Sequence, residues 1–66
     1  MKLFLNGEER EISGVANVAD LVTSLGLDAR KVAIELNLEI VPRSIYSATS
    51  LVEGDRLEIV TFIGGG

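Results

Sequence analysis

The sequence predicts an α+β fold, a small mixed β-sheet with one helix packed on one face. Three observations carry this expectation. The first and last stretches alternate apolar and polar residues, one intervening stretch has a helical apolar stripe, and the elements follow in the order β-β-α-β-β-β. A single helix can cover only one face of a sheet.

The elements are justified in turn. In "KLFLN", Leu3 and Leu5 fall on one face and Lys2, Phe4 and Asn6 on the other, which is a strand pattern. Asn6-Gly7 supplies a hairpin turn, because both residues tolerate positive φ. Residues 10–13, "REIS", read as the returning strand, broken at Gly14. Val18, Leu21, Val22 and Leu25 then fall at i, i+3, i+4 and i+7, one stripe of an amphipathic helix. Asn17 is its N-cap, Asp20 lies in the first turn where the helix dipole suits a carboxylate, and Gly26 is the C′ glycine that ends it.

Residues 31–37 form a third strand, with β-branched Val32 and Ile34. "LEIVPR" gives a brief fourth strand cut at Pro42, which cannot donate to a ladder and suits an edge. "SIYSATS" is too polar and short for a core element and reads as a loop with one helical turn. Residues 53–55 are a tight turn. The last strand, 56–63, places Leu57, Ile59, Thr61 and Ile63 on one face. A right-handed crossover through the helix is expected to set the third strand parallel to the first or the last. The last strand is expected to be central, beside the first. Residues 1–63 then form the domain and 64–66 a flexible glycine tail.

Composition narrows the function. A chain of 66 residues buries only about 60% of its unfolded surface. With no cysteine and no histidine, neither disulfides nor the usual zinc sets can staple it. Aromatics are confined to Phe4, Tyr46 and Phe62, so Leu, Val and Ile must fill the core. A net charge of −4 argues against nucleic acid or an anionic membrane as partner, since both need clustered Lys and Arg. The start turns polar too soon for a signal peptide, and no apolar run is long enough to span a bilayer. A soluble cytoplasmic protein is the expectation.

A lone enzyme is not expected. Without His or Cys there is no His-assisted nucleophile and no thiolate. The carboxylates, including Glu8 and Glu9, sit mainly in turns or on solvent faces. A phosphate-cradling loop needs its glycines between strand and helix, whereas Gly64, Gly65 and Gly66 follow a strand and lead to no helix. The tail has two readings: an end of no importance, or a narrow arm whose terminal carboxylate a second enzyme activates. Glycines thread a narrow channel, and three extended residues reach roughly 10 Å. The non-core side of the last strand reads Arg56, Glu58, Val60, Phe62. If the first strand pairs with it, Phe4, Val60 and Phe62 form an exposed docking patch beside the arm. The alternative is that one or two of them fold under a neighbouring loop.

Three stretches together, "KLFLNGEE", "VAIELNLEIVPRS" and "EGDRLEIVTFIGGG", resemble the ThiS family, the sulfur carriers of thiamine biosynthesis, which are ubiquitin-like β-grasp proteins. The resemblance spans essentially the whole chain, and Asn37 with residues 39–43 is its most discriminating part. The family ends on Gly-Gly; here Gly64 precedes the pair. The resemblance implies a cycle. A ThiF-type adenylating enzyme uses ATP and magnesium to turn the Gly66 carboxylate into an acyl-adenylate. Sulfur from a cysteine desulfurase, delivered as persulfide, displaces AMP and leaves a thiocarboxylate. A ThiG-type thiazole synthase then takes that sulfur into the thiazole ring. The carrier itself is expected to bind no cofactor or metal. Other readings share the fold: the small subunit of molybdopterin synthase, a carrier for tRNA thiolation, a ubiquitin-type modifier, or a non-covalent β-grasp interaction module.

Overall fold

The computed structural model, which describes residues 1–62, begins with a hairpin of β1 (Lys2–Leu5) and β2 (Glu8–Glu11). Asn6 and Gly7 join them with φ of 51° and 84°. That is the two-residue turn whose twist matches paired strands. Leu5 therefore pairs directly with Glu8, and β2 starts two residues before the 10–13 expected. Every residue of β2 is exposed, so no apolar alternation marked where it began.

Helix α1 (Val18–Ser24) is capped as the sequence indicates. Asn17 Oδ1 accepts from the Asp20 N–H at 2.9 Å, and Asp20 Oδ2 accepts from the Ala16 N–H at 2.9 Å. At the other end Gly26, with φ of 72°, donates to Thr23 O while Leu27 donates to Val22 O, both at 3.0 Å. This double closure satisfies carbonyls that a helix end otherwise leaves open. Val18, Leu21 and Val22 are buried beneath the helix. They meet Leu3, Leu5, Ile34 and Leu57 from the sheet.

The remaining strands are β3 (Val32–Leu36), β4 (Glu39–Val41) and β5 (Arg56–Thr61), giving the sheet order β2-β1-β5-β3-β4. The last strand is central and parallel to β1, as expected. The third strand is not parallel to either: β3 runs antiparallel to β5. The hairpin reverses the chain before the crossover begins. The crossover therefore relates β3 to β2, with which it is parallel, while β1 and β5 lie between them. The expected extent of β5 also shortens, although the Phe62 N–H still donates to Lys31 O at 2.7 Å. Ile63 lies outside the described residues.

The segment before β5 holds another departure. Arg43–Ala48 forms a 3-10 helix kinked at Ile45, and it packs on α1. Tyr46, in the stretch judged too polar for the core, is only 4% exposed. The polar residues around it face solvent, so a single aromatic supplies this element's share of the core. Burial pushes its phenol pKa up, partly opposed by the charge of Arg43.

Candidate functional site

The candidate site is the outer face of the sheet, the side away from α1, together with the end of β5 that leads to the glycines. Alternation fixes its membership. With Leu3, Leu5 and Leu57 turned inward, Lys2 and Phe4 of β1, and Arg56, Glu58 and Val60 of β5, face outward. Ala33 and Glu35 of β3 and Ile40 of β4 join them by register.

Two asparagines hold β5 from opposite sides. Asn6 accepts from the Ile59 N–H through Oδ1 at 2.7 Å and donates through Nδ2 to Ile59 O at 3.1 Å. Its carboxamide thus continues the β1–β5 ladder past the point where the β1 backbone turns away. On the other side, the Asn37 N–H donates to Arg56 O at 2.7 Å, and Asn37 Oδ1 accepts from the Arg56 N–H at 3.1 Å. Asn37 Nδ2 also donates to Asp55 Oδ1 at 3.0 Å, while Asp55 Oδ2 accepts from the Val52 N–H at 2.9 Å. Asp55 is buried, and these bonds satisfy both of its oxygens. The strand that carries the tail is therefore fixed along its length by side chains as well as by its ladders.

Phe4 pairs with Arg56 and is half-buried. The Arg56 guanidinium lies 4.6 Å from its ring centroid, a cation–π contact that covers the ring. Val60 pairs with Ala33 and is 58% exposed; Phe62 is 51% exposed. Val60 lies four residues beyond Arg56, about 13 Å along the strand. Phe4 therefore stands at the far end of β5 from Val60 and Phe62. The structure brings Val60 beside Ala33 and Ile40 instead, around a hollow of about 150 Å³. Gly64, Gly65 and Gly66 lie outside the described residues.

Ile40, 78% exposed, was not among the residues the sequence singled out. Its neighbour Val41 is buried, so alternation through β4 already pointed Ile40 outward. Leu38 was also passed over. It sits at the β3–β4 hairpin tip with φ of 72°, and it is 89% exposed.

The chain has no His or Cys, and among the described residues no group of carboxylates is placed to hold a metal. Among the same residues, no helix is long and apolar enough to cross a membrane.

Comparison with known proteins gives a consistent result. The model of the ThiS family matches residues 3–66. The chain is 35% identical over 65 residues to the sulfur carrier protein ThiS of Bacillus subtilis, covering 97% of this chain and 98% of that one. It is 58% identical over 66 residues to a thiazole synthase of Paramagnetospirillum magneticum, covering 100% of this chain and 20% of that protein. A thiazole synthase of Magnetococcus marinus is 42% identical over the same length, again with 20% of it covered. The chain thus spans about a fifth of the length of those two relatives. Among solved structures, the crystal structure of the thiamine biosynthesis protein ThiS from Geobacter metallireducens superposes with a TM-score of 0.84 at 36% identity, covering 100% of both chains.

Proposed function

The chain belongs to the ThiS family and has its β-grasp fold, and from this premise we propose that it is the sulfur carrier for thiazole formation in thiamine biosynthesis. The observation that carries the reading is the end-to-end likeness to a free-standing carrier, the Bacillus subtilis ThiS, of which the chain covers 98%. The protein is then a substrate of other enzymes rather than a catalyst, and it works in the cytoplasm.

The reactive atom is the Gly66 carboxylate. A carboxylate oxygen attacks the α-phosphorus of ATP, pyrophosphate leaves, and an acyl-adenylate forms on a ThiF-type enzyme that supplies the magnesium. A persulfide sulfur from a cysteine desulfurase attacks the acyl carbon, and AMP leaves with the bonding pair. A thiol then reduces the resulting S–S bond and frees the thiocarboxylate. Thiocarboxylate sulfur is a softer nucleophile than carboxylate oxygen. Tethered to a protein, it reaches a ThiG-type thiazole synthase at high effective concentration inside a site that excludes water. Glycine suits the arm because side chains would block a narrow channel. The likeness of this chain to part of two thiazole synthases supports the choice of that enzyme as the acceptor.

On this reading Val60 and Phe62, exposed at the tail end of β5, dock the partners while Gly64 to Gly66 enter their sites. Phe4 contributes at the other end of the strand, with Arg56 stacked over it.

The test is the intact mass of the protein purified from its own cells under non-oxidising conditions. A species heavier by sulfur minus oxygen, placed on Gly66 by fragmentation, is the expected result. It establishes at the same time that Gly66 ends the chain the activating enzyme meets. Only the unmodified carboxylate, even after incubation with adenylating enzyme, ATP and a persulfide donor, refutes the reading.

A further inference from the structure

An acyl-adenylate reacts with any good nucleophile it meets, and the carrier brings its own. With no cysteine or histidine, its best are amines: the α-amine of Met1 and the side chains of Lys2 and Lys31. Two of these are engaged and remote. The Met1 ammonium donates to Glu11 Oε1 at 3.1 Å and to Ile12 O at 2.9 Å. Lys2 Nζ lies 3.8 Å from Glu9 Oε2, and Lys2 O accepts from the Gly54 N–H at 2.8 Å. Both residues therefore stand beyond the start of β5, about 20 Å from the end that leads to the glycines.

Lys31 is placed differently. It closes the 3-10 turn Ala29–Lys31 directly before β3, and its carbonyl accepts from the Phe62 N–H at 2.7 Å. That bond extends the β3–β5 ladder one rung past Val32 and Thr61. Lys31 thus stands opposite Phe62, one strand spacing of about 5 Å away. It is exposed, and among the described residues it has no ion pair. The nearest acid in sequence, Asp28, is occupied by the Arg30 guanidinium. Gly66 lies four residues beyond Phe62, at most about 14 Å of extended chain. A tail of that length, turned back at the strand end, brings its carboxyl carbon to Lys31 Nζ. It cannot bring it to Lys2 or to the Met1 amine.

We infer that Lys31 is a self-acylation site: an adenylate of Gly66 that leaves the activating enzyme before sulfur arrives is captured by Lys31 Nζ as an intramolecular amide. The inference rests on the carrier reading and adds to it a fate for the activated tail. Lys31 Nζ gives one proton to water, and its lone pair attacks the acyl carbon. The bond to the adenylate oxygen breaks, AMP leaves with the bonding pair, and a second proton passes to water as the amide forms. Attack within one chain competes with hydrolysis through its effective concentration. The closed carrier has no terminal carboxylate left to activate, so it has left the cycle. The activating enzyme must therefore keep the tail extended away from Lys31 until the persulfide attacks.

The experiment incubates the full chain with the adenylating enzyme of the same organism, ATP and magnesium, with no sulfur donor, and reads intact mass and peptide fragmentation. ATP–pyrophosphate exchange is followed alongside as the measure of adenylation. The expected product is lighter by one water, and fragmentation joins Lys31 to Gly66. Lys31→Arg keeps the charge but should form at least about tenfold less of it, because no other amine of the chain shares that effective concentration. Lys2→Arg should form as much as the wild type, and a persulfide donor should replace the amide with thiocarboxylate. Exchange in the wild type without any dehydrated species overturns the inference and leaves the carrier reading standing. A dehydrated species that survives in Lys31→Arg, or whose cross-link lies elsewhere, overturns it too. If Lys31→Arg itself fails to exchange, the position of the wild-type cross-link decides. Absence of exchange in the wild type removes the carrier reading and this inference together.

Discussion

The side chain of Asn6 grips Ile59 by both of its backbone groups, accepting from the N–H at 2.7 Å and donating to the carbonyl at 3.1 Å. One residue thus makes the turn that ends β1 and stands in for the strand that β1 no longer provides. Asn6→Ala should destabilise the fold by about 1–3 kcal/mol. It loses two hydrogen bonds and puts alanine at a φ of 51°, where a Cβ is disfavoured. Amide exchange at Ile59 should quicken more than at Leu57. Equal protection at the two positions would show that the side-chain bonds contribute nothing.

The second hairpin uses the same turn with a poorer residue. Asn37 and Leu38 have φ of 51° and 72°, and Leu38, largely in solvent, has little packing to lose. Leu38→Gly should therefore stabilise the protein by about 1 kcal/mol, read from the midpoint of urea unfolding. A loss of stability would mean that Leu38 makes a contact worth more than its strain.

Asp28 caps the 3-10 turn Ala29–Lys31 and also grips its own second neighbour. Its Oδ1 accepts from the Arg30 N–H at 2.9 Å and from Arg30 Nε at 3.2 Å, and its Oδ2 accepts from Nη2 at 3.0 Å. The side-chain hydrogen bond from Arg30 is the main cause of a carboxyl pKa lowered from 3.8 to about 2. Because the folded value is depressed, this stabilisation is complete above about pH 4 and is lost as pH falls towards 2. The stability difference between wild type and Asp28→Asn should shrink across that window. A carboxyl resonance of Asp28 titrating near 4 would contradict the assignment.

Deleting Gly65 and Gly66 should abolish thiocarboxylate formation by the adenylating enzyme while the thermal melt stays unchanged. Gly66→Trp keeps the length and should fail equally, because a narrow channel rejects the ring. Both are read by mass spectrometry after incubation with ATP and a persulfide donor. Sulfur transfer surviving either change would move the reactive site away from Gly66.

How much was legible before the structure differs by element. α1 was plain because Asn17, Asp20 and Gly26 punctuate it locally, and the caps operate within one turn. The Asn6-Gly7 turn was equally local. β2 was displaced because Glu8 and Glu9 show no buried face, and only the pairing with β1 fixes their register. Tyr46 was missed because a single aromatic in a polar run has no period. The direction of β3 was missed because it depends on which strand the crossover leaves. For the site, alternation along β5 placed Val60 and Phe62 on the outer face. It could not say that Phe4 pairs at Arg56 rather than near Val60, since register between distant strands is a property of the assembled sheet.

The parallel pairing of β1 with β5 has a kinetic consequence. The Phe4 N–H bonds to Asp55 O, and the Asn6 N–H bonds to Leu57 O, so the middle of the sheet joins segments from opposite ends of the sequence. Such long-range closure is slow and comes late in folding. During synthesis the hairpin and α1 emerge first, but the sheet has no centre until β5 has left the ribosome. A chain that stops short of β5 lacks its middle strand. It is left with exposed apolar surface for proteases, so no folded domain is released without the strand that leads to the glycines.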